Sequence, residues 1–136
     1  MVSGTIVTLT NQLINTMRLW HEDIIEKLPR QQLLGQHREC CALRGNGWGK
    51  PHSVVNYVFN HTLKELEQYH RIVMTEMQRR GYKVSKEWEL TNYRGKNIVT
   101  AVGGYIQVPT HKVYQEHNDS YYQECIDNLK GKGIYL

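Results

Sequence analysis

The sequence predicts an all-α protein, a compact single domain of about three main helices with irregular connecting loops. Three observations carry this. Leu63, Leu66, His70, Val73 and Met77 recur at spacings of three and four, the period of one helix face. Leu33, Leu34, Cys40 and Cys41 fall on one stripe of the segment that follows Pro29. Tyr121, Cys125 and Leu129 do the same near the end of the chain. At 136 residues the chain has the size of one domain and can bury a self-standing core.

The elements are expected in this order. Residues 1–16 carry no acidic or basic side chain, and at Met17 the composition changes abruptly to MRLWHEDIIEKLPRQQ. This divides the chain into 1–16, an extension or a mis-assigned start, and 17–136, a single helical domain. A genuine N-terminal strand or helix is the alternative for 1–16. The first main helix opens near Pro29, because proline suits a first helical turn, and runs to about Arg44. Its far side presents Gln31, Gly35, Arg38, Glu39 and Ala42. Gly35 costs a helix about 1 kcal/mol relative to alanine, which suits close approach of either another helix or a ligand. RGNGWGKP (44–51) is a turn segment, and 53–61 reads as a short apolar helix or turn capped by Ser53. The second main helix ends at Gly81. Its stripe reads as core, with His70 packed or hydrogen-bonded. Residues 82–116 lack clean alternation and read as mostly irregular, with possible short strands. The last helix runs from about Asp119 to Lys130.

Charge is distributed unevenly. Between Lys27 and Asn60 there are five basic residues (Lys27, Arg30, Arg38, Arg44, Lys50) and one acid, Glu39, and the rest of the chain balances. Such a local positive field attracts polyanions. Glu39, one carboxylate among cations, is either a structural partner for arginine or a placed catalytic group.

Several chemistries have no motif here. HExxH, paired CxxC and His-x3-His are missing, so no metal is expected. GxxxxGK[ST], GxSxG and GxGxxG are missing too. Cysteines 40, 41 and 125 cannot all pair, which favours a reducing compartment. No apolar run is long enough to span a membrane, and the first residues make a poor signal peptide. A cytoplasmic protein is expected.

MRLW…LPRQQLLGQHRE, followed by EMQRRGYKV, YRG and a terminal GKGIYL, resembles the pyrimidine-dimer DNA glycosylases, the phage-type UV endonuclease V enzymes and their bacterial relatives. The resemblance covers about residues 17–85 and the last few residues, and is weak across 97–118. It rests mainly on Leu28, Gln31, Leu33, Arg38 and Glu39, and then on Arg80, Gly81 and Tyr82.

The resemblance implies a compact all-α domain that binds double-stranded damaged DNA as a monomer and needs no cofactor. It implies excision of a pyrimidine photodimer through an imine with the chain's α-amine, and then β-elimination. Carried over by position, Met17 supplies the amine and Glu39 is the catalytic glutamate. Arg18, Gln31 and Arg38 would contact DNA, joined by Lys50. Arg44 stands in for a family arginine that is Ala42 here, and Gln32 occupies a position that is histidine in the phage enzyme. An α-amine is free base to about a tenth near pH 7, far more than lysine, which suits attack on C1′ of deoxyribose. Arg38 is expected to hold a phosphate and keep Glu39 ionised. A non-catalytic nucleic-acid-binding domain of the same fold is the alternative reading.

Overall fold

Pro29, with φ −58° and ψ 159°, directs the chain into the first main helix, α1 (Arg30–Arg44). The computed structural model describes residues 19–48, 58 and 60–136, and all statements below concern these residues. The expected segment 1–16, the short helix capped by Ser53, and Met17, Arg18 and Lys50 lie outside them.

Helix α2 (Leu63–Arg79) begins with a capping box. The Thr62 hydroxyl accepts from the Glu65 N–H at 3.2 Å, and the Glu65 carboxylate accepts from the Thr62 N–H at 2.9 Å, so two otherwise orphan donors are satisfied. At its end Gly81 takes φ +85°. This lets the Tyr82 N–H reach the Met77 carbonyl and the Gly81 N–H the Gln78 carbonyl, a Schellman stop that a side chain at position 81 would strain. Helix α3 (Asp119–Gly131) starts under the Asn118 side chain, which accepts from the Tyr121 N–H. Three-ten turns occupy Glu22–Lys27 and Lys86–Glu89. The expected strands in 82–116 amount to one antiparallel bridge, Leu90 to Tyr105.

Helix α1 packs on α2, and the first three-ten turn packs on α2 as well. Leu33, Cys40 and Leu43 of α1 join Leu66, Tyr69, Val73 and Met77 of α2 in one buried cluster with Ile24, Ile25, Leu28, Tyr121, Cys125 and Leu129. The apolar stripes read from the sequence thus form one core. Leu34 and Cys41 lie at its margin, half-buried.

The segment entering this core is tied down along its length. Tyr121 donates its hydroxyl proton to the Leu19 carbonyl. Tyr69 does the same to the Trp20 carbonyl at 2.5 Å, and the Trp20 N–H donates to Gln36 Oε1 at 2.6 Å. The buried Glu22 carboxylate accepts from the N–H groups of Val113 and Tyr114. Burial pushes that carboxyl upward, but hydrogen bonds from His117, Val113 and Tyr114 outweigh it and hold the group below the usual range.

Candidate active site and nucleic-acid face

Helix α1 has three sides. Its core side carries Leu33, Gln36, Cys40, Leu43 and Arg44, all buried. The opposite ridge, with Arg30, Gln31, Arg38 and Ala42, is exposed. A groove of about 370 Å³ runs along it, lined by Arg30, Gln31, Leu34 and Arg38. Arg30 sits over the Tyr82 ring at 5.4 Å. No described helix approaches Gly35. Among the described residues, a Cβ there would meet only the Arg38 guanidinium, at 3.7 Å. The missing side chain leaves room for Arg38 to lie back along the ridge.

Glu39 is half-buried on one flank of this ridge. Among the described residues no hydrogen bond or ion pair reaches its carboxylate. Burial alone pushes its pKa above the usual glutamate value. The expectation that Arg38 keeps Glu39 ionised is therefore corrected. Neighbours in a helix project about 100° apart, and Arg38 turns toward Gly35 instead. A carboxyl whose pKa burial raises gives up its proton at higher pH than an ordinary glutamate, which suits a general acid. Gln36, which holds the Trp20 N–H, lies one turn before Glu39, so the incoming chain is fastened beside the carboxylate.

Arg44, expected to contact DNA, is not on the exposed ridge. It is fully buried, and its guanidinium donates to the carbonyls of Trp88 (2.8 Å), Leu90 (3.1 Å) and Tyr93 (2.9 Å). It also lies 3.8 Å from the Glu67 carboxylate and stacks on Trp88. A group buried among these partners is not presented to a phosphate. Its role is to fasten 88–93 to α1.

The other flank of α1 holds a cluster the sequence did not reveal. His37 and Cys41 of α1 and His70 of α2 bring their potential metal-ligating atoms within 4.8 Å of one another. The hydrogen-bond roles oppose a metal. Arg44 Nη1 lies 2.9 Å from His70 Nδ1, and a guanidinium only donates, so the His70 proton is on Nε2. That N–H donates to His37 Nδ1 at 2.8 Å, leaving the His37 Nε2–H to face Cys41 Sγ at 3.7 Å. Metal binding through His70 Nε2 would place an N–H on Nδ1, against the guanidinium. Burial pushes the Cys41 thiol up to about 11, so it is no nucleophile at neutral pH. The cluster is a neutral relay that ties α1 to α2.

This relay has a measurable pH signature. Burial first, then the Arg44 charge, holds His70 well below the ordinary imidazole range, and burial with the Arg38 and Arg44 charges lowers His37. Unfolding frees both to take protons below about pH 6.5. The unfolded chain then binds more protons, so stability is complete above that pH and falls as pH drops. Thermal unfolding should show a falling midpoint from pH 7.5 to 5, before the carboxylates titrate. A flat midpoint over that window would remove the neutral relay.

A half-buried carboxylate, unpaired among the described residues and beside an arginine- and glutamine-bearing ridge, suits acid–base work on an anionic substrate. The family model of the pyrimidine dimer DNA glycosylases matches residues 17–90, more than half of the 136 residues, and the chain belongs to that family. Its substrate is accordingly DNA. No curated protein and no solved structure matches the chain. Among the described residues, no helix is long and apolar enough to cross a membrane.

Proposed function

We propose that the protein is a metal-independent DNA glycosylase and AP lyase in which Met17 and Glu39 carry the chemistry. The observation that carries this reading is Glu39, half-buried beside the exposed ridge and without a hydrogen-bond or ion-pair partner among the described residues. The lone pair of the Met17 α-amine attacks C1′ of the damaged nucleotide. The C1′–N bond breaks, and Glu39 in its acid form protonates the departing base or the ring oxygen. Loss of a proton from nitrogen and opening of the sugar give an imine. The Glu39 carboxylate then removes a C2′ proton, and the 3′ phosphate leaves by β-elimination. Water releases the enzyme. Arg38, Gln31, Arg18 and Lys50 hold phosphates and the flanking strand.

Reach supports the pairing. Met17 stands three positions before Trp20, at most about 11 Å of chain. Trp20 is bound to Gln36, and side chains one turn apart on a helix are about 5–6 Å apart at Cβ. The chemistry requires Met17 to be the first residue, because only then does it carry a free amine.

Borohydride trapping tests the mechanism on DNA containing a thymine dimer or an abasic site, with chains starting at Met1 and at Met17. A covalent protein–DNA adduct is expected from the Met17 form alone. DNA binding without an adduct from either form would overturn the imine mechanism and leave a binding domain.

A further inference from the structure

Beyond the family-matched segment the chain makes an excursion whose ends are tightly held and whose tip is bare. The ends meet through the Thr91 N–H to the Gly104 carbonyl (2.9 Å), the Gly103 N–H to the Thr91 carbonyl (2.8 Å) and the Ile106 N–H to the Glu89 carbonyl (2.7 Å). This neck is clamped from below on both long helices. Arg44 of α1 holds three of its carbonyls. Arg94 reaches back to the carbonyls of Arg44 and Gly45. From α2, Glu67 accepts the Asn92 N–H at 2.8 Å and Arg71 pairs with Glu89 at 2.7 Å.

Large apolar side chains are uncovered in the loop (Val99, Val102), in the neck (Tyr105) and just beyond it (Val108). Val99 is 99% exposed, Tyr105 67%, Val108 53% and Val102 48%. A soluble surface rarely groups such residues without a use for them. The segment from Leu90 to Gln115 contains no acidic residue, while Arg94, Lys96 and Lys112 lie within it. Nothing there repels a polyanion. The position along α1 is informative too. Arg44, which holds the neck, is the last residue of α1, five residues and about 8 Å of helix axis beyond Glu39. The neck therefore rises at the C-terminal end of the helix that bears the carboxylate and the ridge. A duplex laid along the ridge toward that end meets the loop.

We propose that residues 97–108 are an apolar wedge that enters duplex DNA beside the lesion, with Val99 and Tyr105 contacting the bases it unstacks and Lys96 on the neighbouring phosphates. The inference rests on the glycosylase reading. A target base must leave the stack before its C1′ can be attacked, and the lost stacking has to be replaced. A rigidly mounted apolar tip supplies replacement contacts without a cost of ordering it on binding.

The test uses the full chain carrying Glu39→Gln, so that binding is read without cleavage, and a dimer-containing duplex with 2-aminopurine opposite the lesion. Binding is expected to raise the fluorescence as the base unstacks. Adding Val99→Ser and Tyr105→Ser should remove most of that rise and weaken dimer binding about 10- to 100-fold, the range of lost base stacking. The melting temperature and the salt slope should not change, since both side chains are exposed and uncharged. An equal rise with and without the loop substitutions, or binding with no rise at all, overturns the wedge. Strand cleavage by the unsubstituted chain together with no rise would sink the wedge alone. Loss of the rise in a chain that never cleaves would sink the glycosylase mechanism and keep the wedge. Absence of any DNA binding would sink both.

Discussion

Replacing Glu39 with glutamine should abolish strand cleavage and make the protein more stable. The two effects have one origin. Burial raises the pKa of the Glu39 carboxyl, and no described residue lowers it, so at neutral pH its charge disfavours the folded state. Glutamine keeps the shape and removes the charge, and the melting temperature at pH 7 should rise. The gain should shrink as pH falls through the folded pKa, because the native carboxyl is then neutral as well. Cleavage should fall by about 10²- to 10⁴-fold, the usual worth of a general acid–base group, with DNA affinity retained. In the native chain the acid limb of the pH–rate profile should lie above the ordinary glutamate value. A variant that cuts normally, or that is less stable than the parent at pH 7, would return Glu39 to a structural role.

The second large effect is expected at Arg44, and it should be on folding. Arg44→Ala leaves the Glu67 carboxylate with an uncompensated buried charge and strips three carbonyls of their donor. Removing one partner of a buried ion pair costs about 3–5 kcal/mol. Lysine should not rescue it, since one ammonium cannot reproduce a planar fork aimed at several acceptors. Arg38→Ala provides the contrast. It should leave the melting temperature unchanged while weakening DNA binding and reducing its salt slope by about 1. Thermal unfolding and salt-dependent binding of the two variants separate the roles. Similar melting temperatures for both would contradict the burial of Arg44.

The three helices were legible because their signals are local. Pro29, Gly81 and the three-and-four spacing of apolar residues each act within a turn or two. Glu39 was legible as an isolated acid in a basic stretch. Arg44 was misread because a charge count treats every arginine as surface. Its signal was nonetheless present, since residue 44 falls about 40° from Cys40 and 20° from Leu33 on the wheel, inside the apolar stripe. The link between His37 and His70 could not be read, because it depends on how α1 meets α2. Residues 89–106 were read as irregular, and they are. Their order comes from Arg44, Glu67 and Arg71, residues from 18 to 49 positions away in the bonds concerned, and no local pattern encodes that.

The closed neck has an evolutionary consequence. Its hydrogen bonds bring residues 91 and 104 together independently of what lies between them, and the entropy of closing a loop grows only slowly with its length. The intervening stretch can lengthen, shorten or change composition while the helix bearing Glu39 stays as it is. Relatives could then diverge in the damage they admit by exchanging one surface segment, with their shared chemistry left untouched.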